Sequence, residues 1–287
     1  MKQLKYSKAV SGVLEESNKG CECMKQRTIT GVIAAAVFIL FILLGNMPLV
    51  LFTFLIAAIG LYELLKMRKL SLWSFSGILS LLVTWIFILP DQYSGFLADW
   101  NLSKTAIGLL AILLYLSYMV ASKNKFTFDD VGFSVLSVLY MGVGFHFFVQ
   151  ISNNDLTILV YSLFIIWATD SGAYFIGRAI GKRKLWPEIS PNKTIEGFIG
   201  GIVCAVVVSV LFYVFGYIEW SIIPLITIVL SIFGQIGDLA ESALKRHYGV
   251  KDSGKILPGH GGILDRFDSL LFVWPLLYFI LDILNKI

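Results

Sequence analysis

The chain has 287 residues, 57% of them hydrophobic and 15% charged, with a formal net charge of +4 and a mean hydropathy of +0.80. Soluble domains carry roughly a quarter charged and about 45–50% apolar residues, so this balance excludes a soluble globular protein. The apolar excess falls in nearly uncharged blocks of about 17–25 residues, the length of a helix that crosses a ~30 Å hydrocarbon layer.

Residues 1–23 are polar and hold no apolar block long enough for a cleaved signal sequence; they read as an N-terminal tail or an upstream extension before Met24-Lys25-Gln26-Arg27. Cys21 and Cys23 lie in this segment, and with Cys204 the three cysteines are too few for a disulfide framework or a four-ligand zinc site. Residues 24–287 read as one membrane-embedded domain. The hydropathy pattern predicts an all-α, polytopic membrane protein with nine spans, at 29–45, 48–65, 72–89, 105–121, 131–149, 156–177, 197–218, 222–241 and 266–284. Gly45-Asn46-Met47-Pro48 separates the first two. Pro90-Asp91 closes the third, and Pro224 begins the eighth, where a missing N–H costs least.

Of the 23 Lys and Arg, all but Lys104 and Lys286 fall in the N-terminal segment or in the loops after the second, fourth, sixth and eighth spans. The positive-inside rule places that side in the cytoplasm and the C-terminus outside. The expected location is the plasma (inner) membrane, with the unusual residues on the cytoplasmic face.

Those residues fall in two segments. The first runs from Asp170 through Arg178, Lys182, Lys184, Ser190 and Lys193 to Gly197; the second runs from Ser242 through Lys245, Arg246, Lys251 and Pro258-Gly259-His260-Gly261-Gly262 to Asp265-Arg266-Phe267-Asp268. A carboxylate in lipid is costly and normally faces a polar cavity or a partner. Asp265 and Asp268, three apart, share a helix face, and with Asp238 they supply the hard oxygen ligands that suit Mg²⁺; Asp170 is a fourth acid. The alternative for any one of them is an ion pair, such as Asp265 with Arg266. Lys245, Arg246, Lys251, Lys255 and Arg266 form the complementary basic set. The glycine run leads into a helix N-terminus, which is a ready anion site. HExxH, paired zinc ligands and a nucleophile elbow are absent from the sequence.

The second segment, Ser242-x-Leu244-Lys245-Arg246-x4-Lys251-Asp252-x-Gly254-x2-Leu257-Pro258-x-His260-Gly261-Gly262-Ile263-x-Asp265-Arg266-Phe267-Asp268, resembles the signature of the phosphatidate cytidylyltransferase (CDP-diacylglycerol synthase) family throughout. The first segment is similar to the family's other marked region, and Glu63 stands where members often carry Glu. The likeness runs from about Met24 to the C-terminus. It implies transfer of the cytidylyl group of CTP to phosphatidic acid, giving CDP-diacylglycerol and pyrophosphate, with Mg²⁺ and room for a second cation. A phosphomonoester is largely a dianion at pH 7, so it can attack the α-phosphorus without a strong base, and catalysis becomes positioning and charge neutralisation.

On that resemblance Asp238, Asp265 and Asp268 hold the cation, with Asp170 as the fourth ligand. Lys245, Arg246, Lys251 and Arg266 bind the triphosphate, while His260, Gly261 and Gly262 cradle phosphate. Arg178, Ser190 and Lys193 are placed at the lipid phosphate. The expected partners are CTP, phosphatidic acid and membrane lipids, with a second copy of the chain admitted and no nucleic acid. A CTP-dependent lipid-alcohol kinase is the nearest rival. A CDP-alcohol phosphotransferase lacks its D-G-x2-A-R motif here. An ion-coupled transporter would need more acids at depth and an internal repeat.

Overall fold

The computed structural model describes residues 28–284 apart from Asn101, Pro258 and His260. The expected N-terminal tail, Cys21, Cys23 and Lys286 lie outside the described residues. Helices α1 (Thr28–Leu44), α2 (Asn46–Met67) and α3 (Phe75–Ile88) are followed by a 3₁₀ turn at Asp91–Tyr93 and a short α4 (Gly95–Asp99). Then come α5 (Lys104–Ala121), α6 (Phe128–Asn154) and α7 (Leu156–Ile180), a hairpin of β1 (Lys184–Trp186) and β2 (Ser190–Thr194), and α8 (Ile195–Val214), α9 (Ile223–His247) and α10 (Leu264–Ile283). Each predicted span has a helix. Six of these, α2 and α5–α9, are long and apolar enough to cross a membrane. Helices alone among open structures satisfy every backbone group internally, which is why apolar blocks of this length fold this way in lipid.

The ends are set by local chemistry. Gly45 (φ 58°) and Asn46 (φ 45°) take left-handed conformations that let α1 pass into α2 across a single residue. Ser74, Ser103 and Thr194 cap α3, α5 and α8 through their hydroxyls, and Thr127 with Asp130 forms a capping box on α6. Asp155 ends α6 and caps α7.

Two departures from the expected spans bear on the site. Helix α9 runs to His247 and α7 to Ile180, so Ser242, Lys245, Arg246 and Arg178 are helical rather than loop residues. The segment after α7 also forms an antiparallel hairpin, pairing Lys184 with Thr194 and Trp186 with Ser190, an addition to the all-α expectation. Pro191 inside β2 argues against a strand, and a two-stranded ribbon tolerates it only because both strands are edges.

The core lies where α2, α6, α9 and α10 meet. Trp274 of α10 packs on Phe148 of α6 with the rings tilted by 36° and their centroids 4.6 Å apart, and donates its indole N–H to Ser162 of α7 at 3.2 Å. Hydroxyl pairs fasten α7 to α9: Tyr161 to Thr227 at 2.6 Å and Thr169 to Ser231 at 2.9 Å. Helices α7 and α8 pack through small residues. A Cβ on Gly201 would stand 2.7 Å from the Thr169 carbonyl, and one on Gly197 would stand 2.6 Å from that of Ala173. This close approach brings Asp170 and the hairpin beside α9. Helix α5 leaves Leu109, Leu113 and Val120 exposed, as suits a helix against lipid.

Candidate active site

The last three turns of α9 carry Asp238, Glu241, Ser242 and Lys245 at spacings of three and four, which places them on one face. Across from them stand α7 and the hairpin on one side, and the start of α10 on the other. Two connected arrangements result.

The first is a cavity of about 490 Å³. Its charged walls are Asp170 and Arg178 from α7, Lys184 and Lys193 from the hairpin, and Asp238 from α9, with Tyr174, Asn192 and Gln235 adding polar groups. The Lys193 ammonium donates to Asp238 Oδ2 at 2.6 Å, and Ser242 Oγ donates to Oδ1 at 3.3 Å. Asp170, near the middle of α7, is exposed and opens onto the cavity. It repels Asp238 and Asp268 electrostatically and is attracted by Lys193 and Arg266. Arg178 is exposed and holds the Tyr174 hydroxyl at 3.3 Å. Gln235 donates its amide to the Phe198 carbonyl at 3.2 Å, tying α9 to α8.

The second arrangement is packed and nearly dry. Lys245, its side chain 12% exposed, donates to Asp265 Oδ1 at 2.6 Å and pairs with the fully buried carboxylate of Glu241. Asp265 Oδ2 accepts from Gly262 N at 2.7 Å, Ser253 N at 3.0 Å and Ser253 Oγ at 2.9 Å. Asp268, one turn further on, accepts from Ser269 N at 2.7 Å, and its carbonyl oxygen faces the Tyr140 hydroxyl at 3.4 Å. Its carboxylate is close enough to Asp238 and Asp170 for mutual repulsion, with Lys245 as the countercharge. Asp268 therefore links the two arrangements.

The residues expected from sequence are thus distributed unevenly. Asp170, Arg178, Lys193 and Asp238 surround the cavity, and Asp268 borders it electrostatically. Asp265 and Lys245 belong to the packed cluster. Arg246 and Lys251 are exposed, Arg246 bonding the Val250 carbonyl at 3.2 Å, and Arg266 is exposed on α10. Ser190 pairs with Trp186 in the hairpin, outside the cavity wall. His260 lies outside the described residues. Gly261 (φ 83°) and Gly262 make room for carboxylates of the chain itself, Asp265 for the first and Glu63 for the second. The backbone donors that a phosphate would use at the α10 N-terminus are taken by those two acids.

Among the described residues no three His, Cys, Asp or Glu side chains close on one point as a ready metal cage. Asp265 has both oxygens engaged by protein donors, which sets it apart from the expected ligand set. Asp170, Asp238 and Asp268 repel one another across a polar cavity, a donor set that fits a divalent cation sharing its coordination with substrate phosphates and water.

Several participants have weak sequence signals. Glu241 reads as the end of a span rather than as a buried acid, and Ser253 and Tyr140 belong to no recognisable pattern. Lys184, Asn192 and Gln235 reach the cavity only because α8 and the hairpin fold back on α7 and α9.

Acids and cations from α7, the hairpin, α9 and α10 thus meet around one polar cavity in a helical protein with six helices long and apolar enough to cross a membrane. A family model described as the cytidylyltransferase family matches residues 25–284, and the chain belongs to that family. It is similar to the phosphatidate cytidylyltransferase of Bacillus subtilis (strain 168), with 55% identity over 267 residues, covering 91% of this chain and 99% of that protein. The enzyme of the same name from Staphylococcus haemolyticus (strain JCSC1435) is 50% identical over 260 residues, covering 90% and 99%. That of Staphylococcus aureus (strain COL) is 48% identical over 261 residues, with the same coverage of 90% and 99%.

Proposed function

We infer that the chain transfers the cytidylyl group of CTP to phosphatidic acid, releasing pyrophosphate and forming CDP-diacylglycerol for phospholipid synthesis. The observation that carries this reading is identity of 55% over 99% of the length of a phosphatidate cytidylyltransferase. In the reaction a phosphatidate oxygen forms a bond to the α-phosphorus of CTP, and the bond from that phosphorus to the oxygen bridging the α- and β-phosphates breaks, that oxygen leaving as a terminal oxygen of pyrophosphate. Both reactants are polyanions. The chain's task is to bring them together and spread their charge.

Arg178, Lys184 and Lys193 bring positive charge to the cavity wall, and exposed Arg246, Lys251 and Arg266 attract the triphosphate as it arrives. Asp170, Asp238 and Asp268 would hold Mg²⁺, which would supply charge neutralisation for the triphosphate. Lys245, fixed between Glu241 and Asp265, places its own positive charge at the junction of the two arrangements. Asp265 orients it. The chain crosses the plasma membrane nine times with the N-terminus and both motif segments cytoplasmic, a reading supported by the succession of helices and by the one-sided distribution of Lys and Arg.

An apolar groove of about 690 Å³ between α6, α9 and α10 supports a place for the acyl chains. Leu136, Leu139, Phe233 and Phe279 line it, and Tyr140 and Glu241 connect its inner wall to Asp268 and Lys245. Leu139→Trp, which fills the groove, should raise KM about tenfold for a dioleoyl phosphatidate and leave a dioctanoyl phosphatidate within about twofold, because only the longer chains extend into the space the indole takes and lose their packing contacts there. Equal changes for both substrates would move the chains elsewhere.

The activity itself is tested with the purified chain in detergent. Pyrophosphate release should require CTP and phosphatidic acid together; release from CTP alone, or none with both present, would contradict the reading.

A further inference from the structure

Glu63, on α2, touches neither cavity wall, and the transfer reaction as described makes no use of it. It is nonetheless among the most completely enclosed charged residues, 1% exposed. Its carboxylate accepts Ile263 N at 3.1 Å and Leu264 N at 2.9 Å, the first free N–H groups of α10, and stands 3.0 Å from Ser253 Oγ, whose one proton it shares with Asp265. The residue that should cap α10, Ile263, has no side chain able to do so. A helix 200 positions earlier in the chain supplies the missing anion, where the helix dipole and unpaired donors favour one. The sequence is shaped around this contact. A Cβ on Gly254 or on Gly262 would overlap the Glu63 carboxylate.

The consequence reaches the site through Ser253 and α10. Ser253 lies against Glu63 and Asp265 at once, so the carboxylate from α2 and the one that holds Lys245 share a single clamp on Ser253 and the start of α10. Fixing the start of α10 also fixes Asp268, one turn on. We propose that Glu63 is a positioning residue for cytidylyl transfer: it locks the N-terminus of α10 so that Lys245, Asp265 and Asp268 stand in register with the cavity, and it binds neither substrate. This rests on the functional reading above.

Glu63→Gln preserves shape but removes the charge and turns an amide NH₂ toward groups that are themselves donors. Misplacement of about 1 Å costs on the order of 100-fold in rate. The variant should therefore lose about 10- to 100-fold in kcat. Its KM for CTP should stay within about twofold, because the residue touches no nucleotide. Gly254→Ala keeps the carboxylate but pushes on it, and should reproduce the kcat loss in a protein with an intact acid. In a Glu63→Ala background, where the space is free, Gly254→Ala should cost less than about twofold more.

Near-normal kcat in both Glu63→Gln and Gly254→Ala overturns the proposal, as does a loss confined to KM for CTP, or two costs that multiply independently. If Glu63→Gln does not fold, Gly254→Ala alone and in the Glu63→Ala background decides. Failure of the functional reading is separate: it shows as wild-type protein that releases no pyrophosphate from CTP and phosphatidate.

Discussion

Lys245→Met is expected to lower turnover about 100- to 1000-fold, the range seen when one preorganised electrostatic group is deleted from an active site, and to destabilise the fold as well. Lys245 is the countercharge shared by Glu241 and Asp265, whose side chains are 0% and 8% exposed. Removing one partner of a buried ion pair costs about 3–5 kcal/mol, because the charge left behind stays desolvated. Here two carboxylates are left. The thermal midpoint in detergent should fall accordingly. Adding Glu241→Gln should recover much of the lost stability, since one uncompensated charge is gone, yet restore no activity. A Lys245→Met protein with normal turnover would remove Lys245 from the site. A midpoint that Glu241→Gln fails to raise would mean that the triad is less desolvated than the geometry indicates.

Asp238→Asn tests the cavity in the same spirit. Asp238 is held by Lys193 at 2.6 Å and faces Asp170 and Asp268. As a proposed ligand of the divalent cation, it should lower turnover about 100- to 1000-fold when neutralised and shift half-saturating Mg²⁺ upward. Lys193→Ala should behave differently. It frees a carboxylate and removes a cation, weakening phosphatidate or CTP binding more than it weakens dependence on Mg²⁺. Near-normal turnover of Asp238→Asn with unchanged Mg²⁺ dependence would contradict the ligand assignment.

The helices were readable because the bilayer leaves an apolar block of this length few other choices. Their ends were less so. Hydropathy falls where a helix leaves lipid, not where its hydrogen bonds stop, so α9 continues past 241 and carries Lys245 on its final turns. The hairpin was hidden by Pro191, a residue that ordinarily opposes strands. At the site, Asp170, Asp238, Lys193 and Arg178 were legible as polar residues next to apolar blocks, and the structure gathers them around one cavity. The glycines were legible as places of close approach but not for what approaches. Gly254 and Gly262 face Glu63 of α2, a pairing across 200 positions that no local pattern encodes. Glu241 was missed for a related reason: its burial comes from α6 and α10 closing over α9, a tertiary fact.

In cytidylyl transfer the α-phosphorus of CTP is the atom attacked. Purified protein incubated with phosphatidic acid and CTP labelled in either the α- or the γ-phosphate tests it most directly. The α-label is expected in the lipid and the γ-label in pyrophosphate. Entry of γ-label into lipid, with release of CDP, would contradict cytidylyl transfer and make the protein a kinase.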